Sequence, residues 1–289
     1  MLRLGFSLLA LLVLLPGPVS AEGDARRIVA VGGAVTEILY ALGEEGRIVG
    51  VDTTSTFPER ALREKPNVGY LRQLSAEGVL ALSPDLVILE AGAGPREAVA
   101  SIAAAGLRVE RVPTGHSVAE LDEKVRRVAA AVGKAREGEA MAEGLMSAFD
   151  RLASDLRDVG PRRRVLFVLS LVDGRPNGAG RDTGADAVIR LAGGENVLAD
   201  VEGYKALSLE AAVALAPDVI LVVSRAGDDA LADPLSVPAL AATPAGRAGA
   251  VIRMDAGYLL GFGPRTPAAV RDLAARLYPD RGLEAAHGR

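Results

Sequence analysis

The chain has no cysteine and no tryptophan among its 289 residues, and only two histidines, His116 and His287. Without cysteine it can build no disulfide framework, no thiolate metal site and no lipid anchor on an N-terminal Cys. Two histidines far apart in the sequence do not make a credible Ser/His/Asp set or a His-rich site for zinc or manganese. Aromatic residues are also sparse, at five Phe and five Tyr. There is no excess of positive charge. The formal net charge of −4 argues against a general nucleic-acid binder, which would carry a basic footprint. The carboxylates are scattered, with no pair suited to acid–base work, so the expectation is a binding protein and not an enzyme.

What remains is an ordinary globular composition, 49% hydrophobic and 24% charged, on a chain long enough for two domains. Arg3 gives a positive start, Leu4 opens an apolar run that ends at Leu15, and Val19-Ser20-Ala21 supplies the small-x-small pattern of a cleavage site. Residues 1–21 are therefore expected to be a signal peptide, cleaved after Ala21. The run is too short for a comfortable membrane span, and no later segment is long and apolar enough for one. The mature protein is expected to be exported, not inserted in the membrane, and monomeric.

One stretch occurs twice. Leu74-Ser75-Ala76-Glu77 opens a short helical run that ends at Pro84-Asp85 and leads into an apolar strand. Leu207-Ser208-Leu209-Glu210 does the same ahead of Pro217-Asp218. Gly69-Tyr70 and Gly203-Tyr204 stand shortly before the two copies. Ser75 and Ser208 suit helix caps, and Glu77 and Glu210 fall in first turns, where negative charge suits the helix dipole. Each proline ends its helix. A helix-end charge accounts for either Glu alone, but less well for both at matched places. Two copies imply two lobes of similar build.

Around these copies the chain alternates apolar strands with helices, the mark of parallel sheets covered on both faces. Strands are expected near residues 28–31, 47–51, 86–89, 107–112, 164–169, 219–223 and 250–254. The strand ending at Val112 leads into the loop Pro113-Thr114-Gly115-His116-Ser117, with a helix start beside His116, and residues 173–184 read as a glycine-rich loop. Its Gly178-Ala179-Gly180 only faintly resembles a phosphate loop, since no Lys-Ser/Thr follows. From Lys134 to Val159 the apolar residues recur at three- and four-residue steps, as on one face of a long helix. Such a helix would reach ~35–40 Å. The expected fold is α/β, with two lobes, each a mainly parallel sheet flanked by helices, joined by one long rigid helix. The expected bounds are 22–135 for the first lobe, 136–159 for the connecting helix and 160–289 for the second lobe.

An export signal, two α/β lobes, a rigid helix and matched Glu residues together resemble the class III periplasmic substrate-binding proteins. These are the soluble subunits of ABC importers for cobalamin, ferric siderophores and haem. The resemblance covers essentially the whole mature chain. It implies a periplasmic protein that docks on an ABC permease and its ATPase subunit through Glu77 and Glu210. Within the family, Gly69-Tyr70-Leu71-Arg72-Gln73-Leu74 is similar to the haem branch, whose Tyr at this place is an axial iron ligand. The run from Ala179 to Ala187 and Gly261-Phe262-Gly263-Pro264-Arg265 resemble that branch too.

The resemblance thus implies haem as transported ligand, held by Tyr70, Arg72, Tyr204 and Arg181, with Tyr70 on the iron. The chemistry agrees. A phenolate is a hard anion suited to ferric iron, and haem accepts Tyr as an axial ligand. A phenol titrates near pH ~10 in water, but Fe(III) and a nearby guanidinium both favour its anion. Arg72 either supplies that charge or pairs with a haem propionate. Tyr204 is placed to ligate, to stack on the porphyrin or to cap the cleft. Some members of the branch add a His from the second lobe, and here this chain departs. His287 is in the tail, and His116 belongs to a first-lobe loop, either solvated or facing the crevice. A ferric siderophore or cobalamin is the alternative ligand, and an enzyme acting on a tetrapyrrole or metal cluster the alternative class.

Overall fold

The computed structural model describes residues 25–172, 174–224 and 233–284. The expected signal peptide and His287 lie outside the described residues.

The first lobe begins with strand β1 (Ile28–Val31), helix α1 (Gly33–Ala41), β2 (Ile48–Val51) and the short α2 (Arg60–Glu64). A two-strand ribbon follows, β3 (Gly69–Tyr70) and β4 (Gln73–Leu74), and then α3 (Ala76–Ala81), β5 (Leu86–Glu90), α4 (Arg96–Ala104) and β6 (Arg108–Val112). The four main strands form an all-parallel sheet in the order β2-β1-β5-β6. Chain direction across the sheet reverses between β1 and β5, and open parallel sheets leave a crevice at the strand ends there.

Helices α5 (Val118–Ala131) and α6 (Ala135–Asp155) connect the lobes. The helix start expected beside His116 falls at Ser117 as a full capping box, with Ser117 Oγ accepting from Glu120 N–H and Glu120 reaching back to Ser117 N–H. The long helix ends at Asp155, short of Val159; a turn follows, and Gly160 in a left-handed conformation with Pro161 behind it keeps the helix from resuming. Its 21 residues span ~31 Å. Gly138 lies where α6 crosses α5, and a Cβ there would collide with the Ala129 side chain. The glycine that weakens the helix locally is what lets the two helices meet.

The second lobe runs β7 (Arg164–Val172), β8 (Arg175–Ala179), α7 (Gly184–Leu191), β9 (Glu195–Asn196), β10 (Tyr204–Ala206), α8 (Leu209–Ala214) and β11 (Val219–Ser224). It closes with α9 (Pro238–Ala241), α10 (Pro244–Arg247), β12 (Val251–Asp255), α11 (Ala256–Leu260) and α12 (Thr266–Leu277). Strands β7, β11 and β12 are parallel, while β8 and β10 add antiparallel strands in the order β10-β8-β7-β11-β12. The loop expected at 173–184 is thus partly a strand. Pro176 and Gly178 disguise it, and Gly178 is needed because a Cβ would strike Leu198.

Alternate residues of each buried strand feed different cores. Ile28, Ala30, Leu86 and Ile88 join Val165, Phe167, Leu221 and Val223 in one apolar cluster that runs through both lobes and the helices between them. Val29, Val31, Val87 and Leu89 face a second cluster, and Leu166, Val168, Ile220 and Val222 a third. This is why the strands read as unbroken apolar runs. It also makes the lobes share a core, so the connecting helix is one wall of a continuous interior.

Candidate functional site

A cleft of about 510 Å³ opens where strand ends of the two lobes face each other. Gly33 and Ala34 reach it from the end of β1, Glu90 from the end of β5, and Asp255, Ala256 and Gly257 from the end of β12. One wall is the polar turn after β2. Asp52 is fully buried there and accepts from Gly32 N–H (2.9 Å), Thr54 N–H (3.0 Å), Thr54 Oγ1 (2.7 Å) and Ser55 Oγ (3.0 Å). Gly33 N–H in turn donates to Thr54 Oγ1 at 2.9 Å. The Thr53, Thr54 and Thr56 edge is therefore tied to the start of α1.

Tyr70 lines the same cleft and is 42% exposed, an unusual state for a large aromatic ring. The ribbon that carries it is braced on both sides. Thr53 N–H donates to Gly69 O, Leu74 N–H to Gly94 O, and Gly94 N–H to Leu71 O. Gly69 adopts φ +104°, and a Cβ would stand 2.8 Å from Gln73 O, so the tight ribbon requires glycine at that point. Among the described residues, the exposed Arg72 guanidinium makes no hydrogen bond or ion pair.

The other residues named from the sequence lie elsewhere. Tyr204 is 47% exposed on the edge strand β10, outside the cleft lining. Arg181 closes a loop of its own lobe by donating to Asp200 O (2.9 Å) and Glu202 Oε2 (3.1 Å). His116 packs edge-on against Phe262, with ring centres 4.9 Å apart, in the contact between the lobes. Burial and the Lys124 charge push its pKa down, and it does not line the cleft.

Sequence reasoning missed the ionic groups beneath the cleft. Glu37 on α1 is clamped by both arms of Arg265, with Nε–Oε2 at 3.0 Å and Nη2–Oε1 at 2.6 Å. The Arg265 guanidinium also covers the Phe57 ring at 3.7 Å. Lys124, 1% exposed, donates to Glu90 Oε1 (3.0 Å) and across the lobes to Phe262 O (3.2 Å). Burial raises the pKa of both Glu37 and Glu90, and the paired cations oppose that rise. Lys124 had a signal. It interrupts the buried face formed by Leu121, Val125 and Val128.

The repeated helices carry their caps as expected, Ser75 accepting from Gly78 N–H and Ser208 from Ala211 N–H. Glu77 and Glu210 are exposed in the first turns. Backbone and Ser208 hydrogen bonds hold the Glu210 carboxyl below the usual range.

Residues 28–258 match the periplasmic binding protein family. The chain belongs to that family. Among solved members, the periplasmic heme-binding protein BhuT, in complex with two hemes, is 40% identical. It superposes with a TM-score of 0.81, over 89% of this chain and 99% of that one. An uncharacterized ABC transporter substrate-binding lipoprotein of Bacillus subtilis, YvrC, is 25% identical over 91% of this chain and 83% of its own. A cobalamin-binding protein of Halobacterium salinarum is 28% identical over 86% of this chain and 68% of its own. The α/β architecture expected from the sequence is that of this periplasmic binding protein family.

Proposed function

We propose that this protein captures haem in the interlobe cleft and delivers it from the periplasm to an ABC permease. The observation that carries this reading is Tyr70: a half-exposed phenol on a braced ribbon at the cleft wall. A ring held there gains little from burial and is free to meet a ligand. Its oxygen suits ferric iron, and the axial role of Tyr in haem proteins is established chemistry. The 40% identity to a haem-binding relative supports haem over cobalamin, for which the relative is 28% identical. Arg72 is available to pair with a propionate or with the phenolate. Tyr204, on edge strand β10, and Arg181, held by Asp200 and Glu202, lie outside the cleft lining and contribute less to this reading than Tyr70. Glu77 and Glu210, one per lobe, meet basic groups of the permease, and the ATPase subunit responds through it. Binding, not catalysis, is the role of this chain.

An absorption titration with hemin tests this, using the mature protein beside Tyr70→Ala and Tyr70→Phe. The expected result is a saturable ferric tyrosinate spectrum in wild type that is lost in both variants. Saturation with unchanged spectra in the variants would remove Tyr70 from the iron. No saturation with hemin, but saturation with cyanocobalamin, would transfer the protein to the cobalamin class.

A further inference from the structure

The groups that face the inner cleft share a property. Glu37 and Glu90 line it, while their partners do not: Lys124 is buried beneath Glu90, and Arg265 lies beside Glu37 outside the lining. Asp255 adds a third carboxylate, whose Oδ1 accepts from Tyr258 N–H at 2.7 Å. The hydrogen of the Thr54 hydroxyl is committed to Asp52, and the first N–H of α1 to Thr54. Among the described residues lining the cleft there is no Lys or Arg. The cleft therefore offers three carboxylates, apolar surface and the neutral hydroxyls of Thr53, Thr56 and Tyr70, but no cation. A carboxylate pushed into it would be desolvated against like charge with no cation to receive it.

We infer that the three carboxylates Glu37, Glu90 and Asp255 fix the ligand's polarity: a porphyrin enters with its apolar edge inward and its carboxylates at the rim. The inference rests on the haem reading above. It makes the cleft a charge filter. A porphyrin with both propionates on one edge fits, whereas one with anionic groups on every pyrrole must send some of them onto the carboxylates. The same filter rejects compact polyanionic ferric chelates.

The test compares protohaem, with propionates on two adjacent pyrroles, with iron coproporphyrin III, with propionates on all four. Both are titrated against the mature protein and against Glu37→Gln, which keeps the shape while freeing the Arg265 charge. Wild type is expected to bind the coproporphyrin at least about a hundredfold more weakly, as like-charge juxtaposition demands. Glu37→Gln should narrow that gap about tenfold or more. Asp255→Asn, which retains a helix-capping side chain, should narrow it also and serves if Glu37→Gln does not fold. Equal affinity for the two porphyrins in wild type would overturn the inference and leave the haem reading standing. A gap that neither variant narrows would mean size exclusion, and would overturn it too. Failure of protohaem itself to saturate would overturn the haem reading and this inference with it.

Discussion

Lys124→Met removes a buried cation while keeping most of its length. The ammonium lies 3.0 Å from Glu90 Oε1, and at an effective dielectric of ~20 the gross attraction is about 5–6 kcal/mol. Part of that only offsets the desolvation of two charges. What the substitution leaves is a buried carboxylate without its partner, which costs about 3–5 kcal/mol. The loss carries a pH signature. Burial already raises the Glu90 pKa above 4.5, and the charge and hydrogen bond of Lys124 hold the rise in check. Without Lys124 the folded-state pKa climbs further. A carboxyl that holds its proton more tightly when folded costs nothing below its unfolded pKa, and its cost grows as pH rises through the folded value. The deficit should therefore be largest at about pH 8 and shrink towards about pH 5. The chain has no Trp, so urea unfolding is best followed by far-UV circular dichroism. The double variant Lys124→Met/Glu90→Met should recover much of the loss, since replacing a whole buried pair by apolar groups is often neutral. A deficit under ~1 kcal/mol, or one equal at both pH values, would refute the claim that Lys124 compensates a buried charge.

Gly138→Ala should destabilise by about 1–2 kcal/mol in urea, because the new methyl meets Ala129 on the facing helix and overpacking outweighs the gain in helix propensity. A stabilised variant would mean that α5 and α6 can part at no cost. Glu77→Lys and Glu210→Lys should each cut permease-stimulated ATP hydrolysis about tenfold at subsaturating protein, with hemin affinity unchanged. Loss of hemin binding instead would make these residues structural.

The fold was legible where its causes are local. Strand burial on both faces wrote unbroken apolar runs, and Ser caps and Pro stops bounded the repeated helices. Strand β8 was not legible, because Pro176 and Gly178 are there to suit an antiparallel edge and the Leu198 side chain, neither of which a linear pattern shows. The site divides in the same way. Tyr70 stood out by its motif, and it lines the cleft. The pairs beneath it join residues 34 and 228 positions apart, Glu90 to Lys124 and Glu37 to Arg265, and only the folded chain brings them together. Arg181, which the resemblance put at the ligand, is engaged by a carbonyl and a carboxylate of its own lobe.

The repeated stretch can now be separated into what the scaffold needs and what it does not. Asp85 accepts from the Arg26 and Arg27 N–H groups, and Asp218 from Arg164 N–H, so each Asp ties its copy to the first strand of its sheet. Arg27 donates to Leu82 O and Ser83 O, and Arg164 to Leu215 O, so matched guanidinium groups cap matched helix ends. Ser83 and Ala216 take φ +45° and +42° ahead of the two prolines, the same strained turn twice. Ser, Pro, Asp and the turn are thus explained by folding alone. Glu77 is not: among the described residues its carboxylate makes no hydrogen bond or ion pair, while Glu210 bonds to its own cap and feels the Arg175 charge. Each adds a favourable but small dipole interaction that an exposed Asp or Gln could largely replace. Folding thus leaves Glu77 without a bonded partner among the described residues and Glu210 bonded at its cap, and the permease docking proposed above accounts for an exposed carboxylate at both places.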